Sequence, residues 1–244
     1  MIYRDLPWDS DFFRVSVGAL TVEAGDTEDD LVSALSKWTP EVCYIFMPYR
    51  SGAVFSECLK AMGAKCYDCK TVFSKLLTGT VSVCRPVEVV EVFSKDFRSV
   101  KLAVDSGWHS RFQRDEHFRP FQAALYERWL QNCFDSPAGR VWIVPGEEGG
   151  DAVLCASVKD NQGKIELVAV DEKCRGRGYG KALMSRAEEY FRISGAASAQ
   201  VVTQLDNERA CRLYCSCGYE ISNITEVWHL WRSEVISKVF NSAG

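Results

Sequence analysis

Eleven residues, Val170-Asp171-Glu172-Lys173-Cys174-Arg175-Gly176-Arg177-Gly178-Tyr179-Gly180, combine backbone freedom with positive charge in a way that suits an anionic ligand. They follow an apolar run at 165–170, cross a glycine-rich bend and lead into an amphipathic segment through Lys181-Ala182-Leu183-Met184. A strand, a glycine turn and a helix N-terminus in that order make a diphosphate cradle. The N–H groups of the first helical turn have no intrahelical partner, and the helix dipole adds partial positive charge there. Glycines at 176, 178 and 180 remove side chains that would hold phosphate oxygens away from those donors. A dinucleotide fingerprint is excluded because its third glycine would fall at 181, which is Lys; the strand ending in an acid about 20 residues on is also missing. A Walker loop fails for want of a closing Gly-Lys-Ser/Thr. An ordinary glycine-bearing turn between a strand and a helix also fits the same string.

Farther along, Ala199-Gln200-Val201-Val202-Thr203-Gln204 reads as a short buried strand and Leu205-Asp206-Asn207 as a capping segment. A helix then carries Ala210, Leu213, Tyr214 and Cys217 at i, i+3, i+4 and i+7, with Gly218 placed to end it. Arg175, Gly178 and Gly180 after a Val-containing strand form an Arg-x-x-Gly-x-Gly pattern. It resembles the acyl-CoA pyrophosphate loop of the GNAT superfamily of N-acyltransferases. The string Asn207-x-x-Ala210-x-x-Leu213-Tyr214-x-x-x-Gly218-Tyr219 is similar to the second motif of that superfamily, at the usual distance after the first.

The resemblance implies an α/β (α+β) GNAT fold, a mixed and mostly antiparallel sheet flanked by helices, with acetyl-CoA as cosubstrate. It implies cofactor contacts from Arg175, Gly176, Arg177, Gly178, Tyr179, Gly180 and Lys181, and main-chain pairing of Val168, Ala169 and Val170 with the pantetheine amides as an added strand. Asn207 would reach the pantetheine arm, cap its helix, or do both. Tyr214 would be the catalytic general acid; the competing reading packs its ring under the sheet. A phenol has a pKa of about 10 and a thiol about 8.5, so full proton transfer to the departing thiolate is uphill by roughly 2 kcal/mol. Hydrogen-bond stabilisation of the thiolate is therefore expected, with net protonation from the substrate ammonium or a shuttle. Transfer would be direct, through a tetrahedral intermediate; Cys174 beside the loop has no histidine near it in sequence to make it a nucleophile.

Composition agrees with a soluble enzyme. The 244 residues are 47% apolar, enough for one large core or two smaller ones, and the formal charge of −4 argues against bulk nucleic-acid binding. The sequence shows no run of eighteen apolar residues and no signal-peptide pattern at Met1-Ile2-Tyr3-Arg4-Asp5, so a cytoplasmic protein with no membrane partner is expected. Of eleven cysteines, Cys66 and Cys69 alone have zinc-like spacing, and with three histidines in the chain free thiols and no metal are expected.

Strands are expected at 13–22, 41–47 and 66–77, with helices at 28–38 and 52–62. A division near 78–85 would separate an N-terminal α/β module, residues 1–82, from a GNAT domain, residues 83–244. The second part reads as a strand at 86–93, helices at 95–104 and 120–133, and strands at 141–144, 152–158 and 164–170. Leu6-Pro7-Trp8-Asp9-Ser10-Asp11-Phe12-Phe13, His109-Ser110-Arg111-Phe112, Val202-Thr203-Gln204 and Trp228-His229-Leu230-Trp231 resemble one GNAT branch, the dTDP-fucosamine acetyltransferases. This branch implies a small-molecule amine acceptor, the 4-amino group of a dTDP-amino-dideoxy sugar, used in polysaccharide synthesis. Other amines, or a non-catalytic acyl-CoA-binding module, remain as alternatives. His109, Ser110, Arg111 and Phe112, with Arg114 and Arg119 nearby, are the substrate-site candidates, although a solvated loop also fits a stretch so mixed in charge. For the base, Glu166 and His229 stand beside backbone-relayed water, the preferred acceptor. A homodimer through terminal-strand pairing is compatible with this reading.

Overall fold

The computed structural model describes residues 1–49, 53–78, 87–147 and 149–233. The expected division at 78–85, the start of the expected 86–93 strand and most of the tail beyond Arg232 fall outside these residues. Two compact units emerge among the described residues: Met1–Lys70 with residues 224–233, and Thr71–Asn223. These units differ from the division expected at residues 82 and 83, since the boundary is set by packing partners rather than by a polar stretch of sequence.

In the first unit, β1 (Ile2–Asp5), α1 (Pro7–Phe13), β2 (Val17–Thr21), α2 (Glu28–Ser36), β3 (Val42–Pro48) and α3 (Ala53–Met62) follow in order. Strand β4 (Lys65–Leu76) begins here and runs across the boundary. Pairing is antiparallel for β1 with β2 and parallel for β2 with β3. A strand was expected to begin at Phe13. Instead Pro7 opens a helix, where its missing N–H costs nothing, and Arg14 closes it in the left-handed region at φ 57°. Helix α2 starts at a capping box in which Thr27 and Asp30 satisfy each other's backbone N–H. Leu31, Leu35, Leu59, Ile45 and Leu20 meet in one buried cluster.

The second unit contains β5 (Val90–Val92), α4 (Phe97–Ser106), α5 (Arg111–Arg114), α6 (Gln122–Asp135), β6 (Gly139–Gly146), β7 (Gly149–Lys159) and β8 (Gln162–Val170). It continues with α7 (Tyr179–Ile193), β9 (Ser198–Gln204) and α8 (Glu208–Ser216), and β10 (Glu220–Trp231) begins here and ends in the first unit. There β10 pairs antiparallel with β3, from Thr225 opposite Pro48 to Trp231 opposite Val42. Strands β5 to β8 form an antiparallel meander, whereas β8 and β9 are parallel. The sheet is therefore mixed and mostly antiparallel, as expected. One face is covered by α7 through Leu183, Met184, Ala187 and Phe191, the other by α4 and α6 through Leu102, Ala103 and Leu130.

Two irregularities shape the site. Cys155 lies opposite Leu167 but Ala156 lies opposite Ile165, so Glu166 is the extra residue of a bulge in β8. Parallel pairing of β8 with β9 runs from Gln162 opposite Ser198 to Ile165 opposite Val201 and goes no farther. Past the bulge, the β9-facing edge of β8 is released from the ladder. Among the described residues, no helix is long and apolar enough to cross a membrane.

Candidate active site: a helix N-terminus, a released strand edge and a buried phenol

Strand β8 delivers the chain to Asp171, whose carboxylate accepts from the Lys173 amide at 2.9 Å and starts a short 3-10 turn over Glu172–Cys174. That hydrogen bond, helped by Arg98 and neighbouring lysines, lowers the Asp171 pKa. Arg98 of α4 lies 3.0 Å from the same carboxylate and donates to the Gly150 carbonyl at 3.3 Å. The stem of the loop is therefore tied to both α4 and β7.

Gly176 and Gly178 have φ of 79° and 88°, and a Cβ at either would meet nothing within 4 Å. Their role is conformational: positive φ is cheap only for glycine, and the bend is left open on its outer side. Gly180 behaves otherwise. A Cβ there would lie 3.1 Å from a Leu213 methyl, so this glycine makes room for α8 rather than for a ligand. The first bond into α7 runs from the Ala182 amide to the Gly178 carbonyl at 3.0 Å. The amides of Tyr179, Gly180 and Lys181 precede it, no side chain caps the helix, and its first turn carries no acidic residue. Arg175 donates to the Val170 carbonyl and pairs with Glu172, while Arg177 reaches the Lys173 carbonyl. The two arginines thus brace the loop with partly exposed guanidinium groups.

These features fit an acyl-CoA diphosphate: unpaired amides, an unobstructed bend and no carboxylate in the first turn of α7. The freed edge of β8 over Val168, Ala169 and Val170 offers backbone groups in extended geometry to an amide-bearing arm. Asn207 is the N-cap of α8, its Oδ1 accepting from the Ala210 amide at 3.3 Å, which leaves its NH2 free to donate outward.

Tyr214 is 3% exposed, with its ring against Phe73 at 5.5 Å and Tyr219 at 6.5 Å. Burial raises the phenol pKa strongly, so the group is neutral and can donate throughout the physiological range. Among the described residues, the Tyr214 hydroxyl is not one of the sealed side-chain polar atoms that lack a hydrogen-bond partner.

Several sequence candidates occupy different places. Ser110 accepts from the Gln113 amide as the N-cap of α5, and Phe112 is buried against Phe118 and Trp129. Neither is available to a sugar. Arg111 lies over the Phe112 ring at 4.4 Å. His109 does face a cleft of about 680 Å³, together with Trp108, Gln113, Arg114, Arg119 and Asp206. Arg114 pairs there with Asp206 at 2.5 Å, and Arg119 donates to the Gln113 carbonyl at 2.9 Å. Trp108, Gln113 and Asp206 were missed because apolar exposure and pairing across α5 and the β9–α8 turn leave no local sequence signal. Glu166 is exposed, hydrogen-bonded by Ser157 at 2.9 Å and paired with Lys164 at 2.6 Å. His229 is buried between the rings of Tyr44 and Tyr67, a packing role. Burial and the neighbouring Asp151 raise the Cys174 thiol, the opposite of what a nucleophile needs. The ten cysteines among the described residues are free thiols, and no group there of three or more His, Cys, Asp or Glu could hold a metal.

Comparison with known proteins meets this geometry. The model of the Acetyltransferase (GNAT) family matches residues 107–219. Mycothiol acetyltransferase from Beutenbergia cavernae is 34% identical over 84 residues, 32% of this chain and 28% of that protein, so the chain matches little more than a quarter of the relative's length. Among solved structures, a GCN5-related N-acetyltransferase from Sphaerobacter thermophilus aligns with TM-score 0.59 at 12% identity, over 93% of this chain and 75% of that one. A conserved protein of unknown function from Staphylococcus epidermidis aligns with TM-score 0.61 at 11% identity, over 88% and 84%. At such identities the structures speak for the fold alone. Residues 107–219 thus match the family of GNAT acetyltransferases, and the fold is the GNAT fold. That family consists of acyl-CoA-dependent N-acetyltransferases that use acetyl-CoA as the acyl donor.

Proposed function

We propose that this chain transfers acetyl from acetyl-CoA directly to the primary amine of a small molecule, and that the acceptor is the 4-amino group of a dTDP-amino-dideoxy sugar. The observation that carries the first half is the α7 N-terminus, uncapped, free of acids and entered through two open positive-φ glycines. Acetyl-CoA would supply an activated thioester there. Amides 179–181 bind its diphosphate, with Arg175, Arg177 and Lys181 adding charge, and Val168–Val170 and Asn207 orient the arm. The neutral acceptor amine attacks the carbonyl carbon, the C–S bond breaks, and the Tyr214 hydroxyl donates a hydrogen bond to the sulfur as charge develops. Because burial raises the phenol pKa, net proton transfer from Tyr214 is even less favourable than for a free tyrosine. The proton lost by the amine reaches the thiolate through water.

The second half rests on the resemblance of the short strings to one GNAT branch and on the cleft beside α5. Its exposed Trp108 offers a stacking face, and Arg114 and Arg119 place cations where an acidic protein must accept a dianion. His109 remains a contact in this reading; Ser110 and Phe112 support the cleft from within. One observation favours a different acceptor: the relative at 34% identity is named a mycothiol acetyltransferase. Thiol release measured across a panel of dTDP-amino sugars, amino thiols, polyamines and amino acids separates the two. Inactivity on every dTDP-amino sugar with turnover of another amine discards the sugar and keeps the transferase. Binding of acetyl-CoA without turnover of any amine would leave an acyl-CoA-binding module.

A further inference from the structure

Lys75 on β4 sits among groups that the transfer chemistry does not use. Its ammonium lies 2.8 Å from both carboxylate oxygens of Glu188 on α7 and 2.7 Å from the Cys217 carbonyl at the end of α8. Glu188 is 4% exposed, and Arg192 stands 3.6 Å away on the same helix. The Tyr219 ring lies beneath the ammonium, 5.5 Å from it. The turn it grips closes back on the candidate donor, since the amides of Cys217 and Tyr219 both donate to the Tyr214 carbonyl at 3.0 Å.

One cation thus joins the helix whose N-terminus forms the cradle to the helix that carries the phenol. At the N-terminal end of α7, Gly180 lets Leu213 of α8, one turn before Cys217, approach closely. Held at two points, α8 has little freedom to slide along α7. A helix C-terminus also collects unpaired carbonyls that favour a cation, and a buried carboxylate requires one, so each half of the contact supports the other.

We infer that Lys75 is a positioning residue for acyl transfer: clamped between Glu188 and the α8 terminus, it fixes the distance from the diphosphate cradle to the Tyr214 hydroxyl. The inference rests on the donor role proposed for Tyr214. Misplacing a reacting group by about 1 Å costs on the order of 100-fold in rate, so Lys75→Met should lower kcat by about 10- to 100-fold. The KM for acetyl-CoA should change little, and Lys75→Arg should restore most of the rate. A merely structural lysine would lower the rate by the same factor in any background. Acting through Tyr214, Lys75→Met should instead change the residual rate of Tyr214→Phe by less than about twofold, the non-additivity of coupled sites.

Because Lys75→Met strands a buried carboxylate, the Lys75→Met/Glu188→Gln double variant serves as the folded control. In protein labelled with 13C at the tyrosine ζ carbon, the Tyr214 resonance, assigned by its loss in Tyr214→Phe, should shift in the double variant. Wild-type kcat in the double variant, equal losses in both backgrounds, or an unmoved Tyr214 resonance would overturn the inference. If the wild-type protein acetylates no amine, the proposed function fails by itself, and the resonance still decides whether Lys75 positions Tyr214.

Discussion

The molecule contains the same short architecture twice, with opposite chemistry at its helix ends. In the first unit β2, α2, β3 and α3 lead into β4; in the second, β8, α7, β9 and α8 lead into β10, and the opening strand pair is parallel in both. The second helices even end alike. Gly63 and Gly218 have φ of 101° and 80°, and the following amide returns to the carbonyl of Leu59 in one case and Tyr214 in the other, at 2.9 and 3.0 Å. The first helices differ where they begin. Helix α2 opens with Thr27 in a capping box and Glu28, Asp29 and Asp30 in its first turn, whereas α7 opens with glycine and no acid. Self-capping and acidic charge use up the donors and dipole that the second unit leaves exposed. One scaffold therefore satisfies those groups itself, and the other leaves them open to the diphosphate contact proposed above.

Tyr214→Phe tests the contrast with Leu59 most severely. It should lower kcat by about 100-fold or more while melting close to wild type. Kinetics beside a thermal melt checks both, and an undiminished kcat would reduce the phenol to packing. Because burial raises its pKa, the Tyr214 donor stays protonated as pH rises through the ordinary phenol range near 10. A descending limb of kcat below that range should therefore survive Tyr214→Phe; its disappearance would show the opposite shift.

Making α7 resemble α2 is the next largest change. Gly178→Asp puts a carboxylate in the bend and forces positive φ on a residue with a Cβ, and acetyl-CoA affinity should fall by about 30- to 100-fold in calorimetry. Unchanged affinity would mean that the cradle is not where the diphosphate binds. The reciprocal substitution, Thr27→Ala, removes a cap and should cost about 1 kcal/mol of stability with kcat/KM intact. A loss of acetyl-CoA affinity there would erase the distinction between the two helix starts. The smallest effect belongs to Cys174→Ala, which should keep full activity because the buried thiol has a raised pKa; an acetylated cysteine caught during turnover would replace direct transfer with a covalent route.

Local patterns were legible wherever a residue type has few physical uses. The helix end at Gly218, the Asn207 cap and the i, i+3, i+4, i+7 face of α8 all appear in the structure at the expected residues. Gly180 was read as serving a phosphate, but only the packing of α8 reveals that it serves Leu213. Ser110 and Phe112 were read from their place in a mixed loop, and burial, which a single sequence does not encode locally, assigns them elsewhere. Lys75 and Glu188 are 113 residues apart, and no spacing rule links them. Phe13 was read as the start of a strand, but Pro7 and Arg14 set the ends of a helix that includes it.

The odd residue at Glu166 has a consequence for inheritance. Ile165 belongs to the apolar cluster under α7, while Leu167, two positions later, belongs to the cluster under α4 and α6. In an unbroken strand, residues two apart share a face. Deleting position 166 would put Leu167 directly after Ile165, on the opposite face where it already lies, and leave Val168 and Val170 facing as they do; what it would remove is the bulge beyond which β8 and β9 part. Loss of this codon should thus spare both apolar clusters and close the released edge, whereas exchange for another polar letter should keep that edge open.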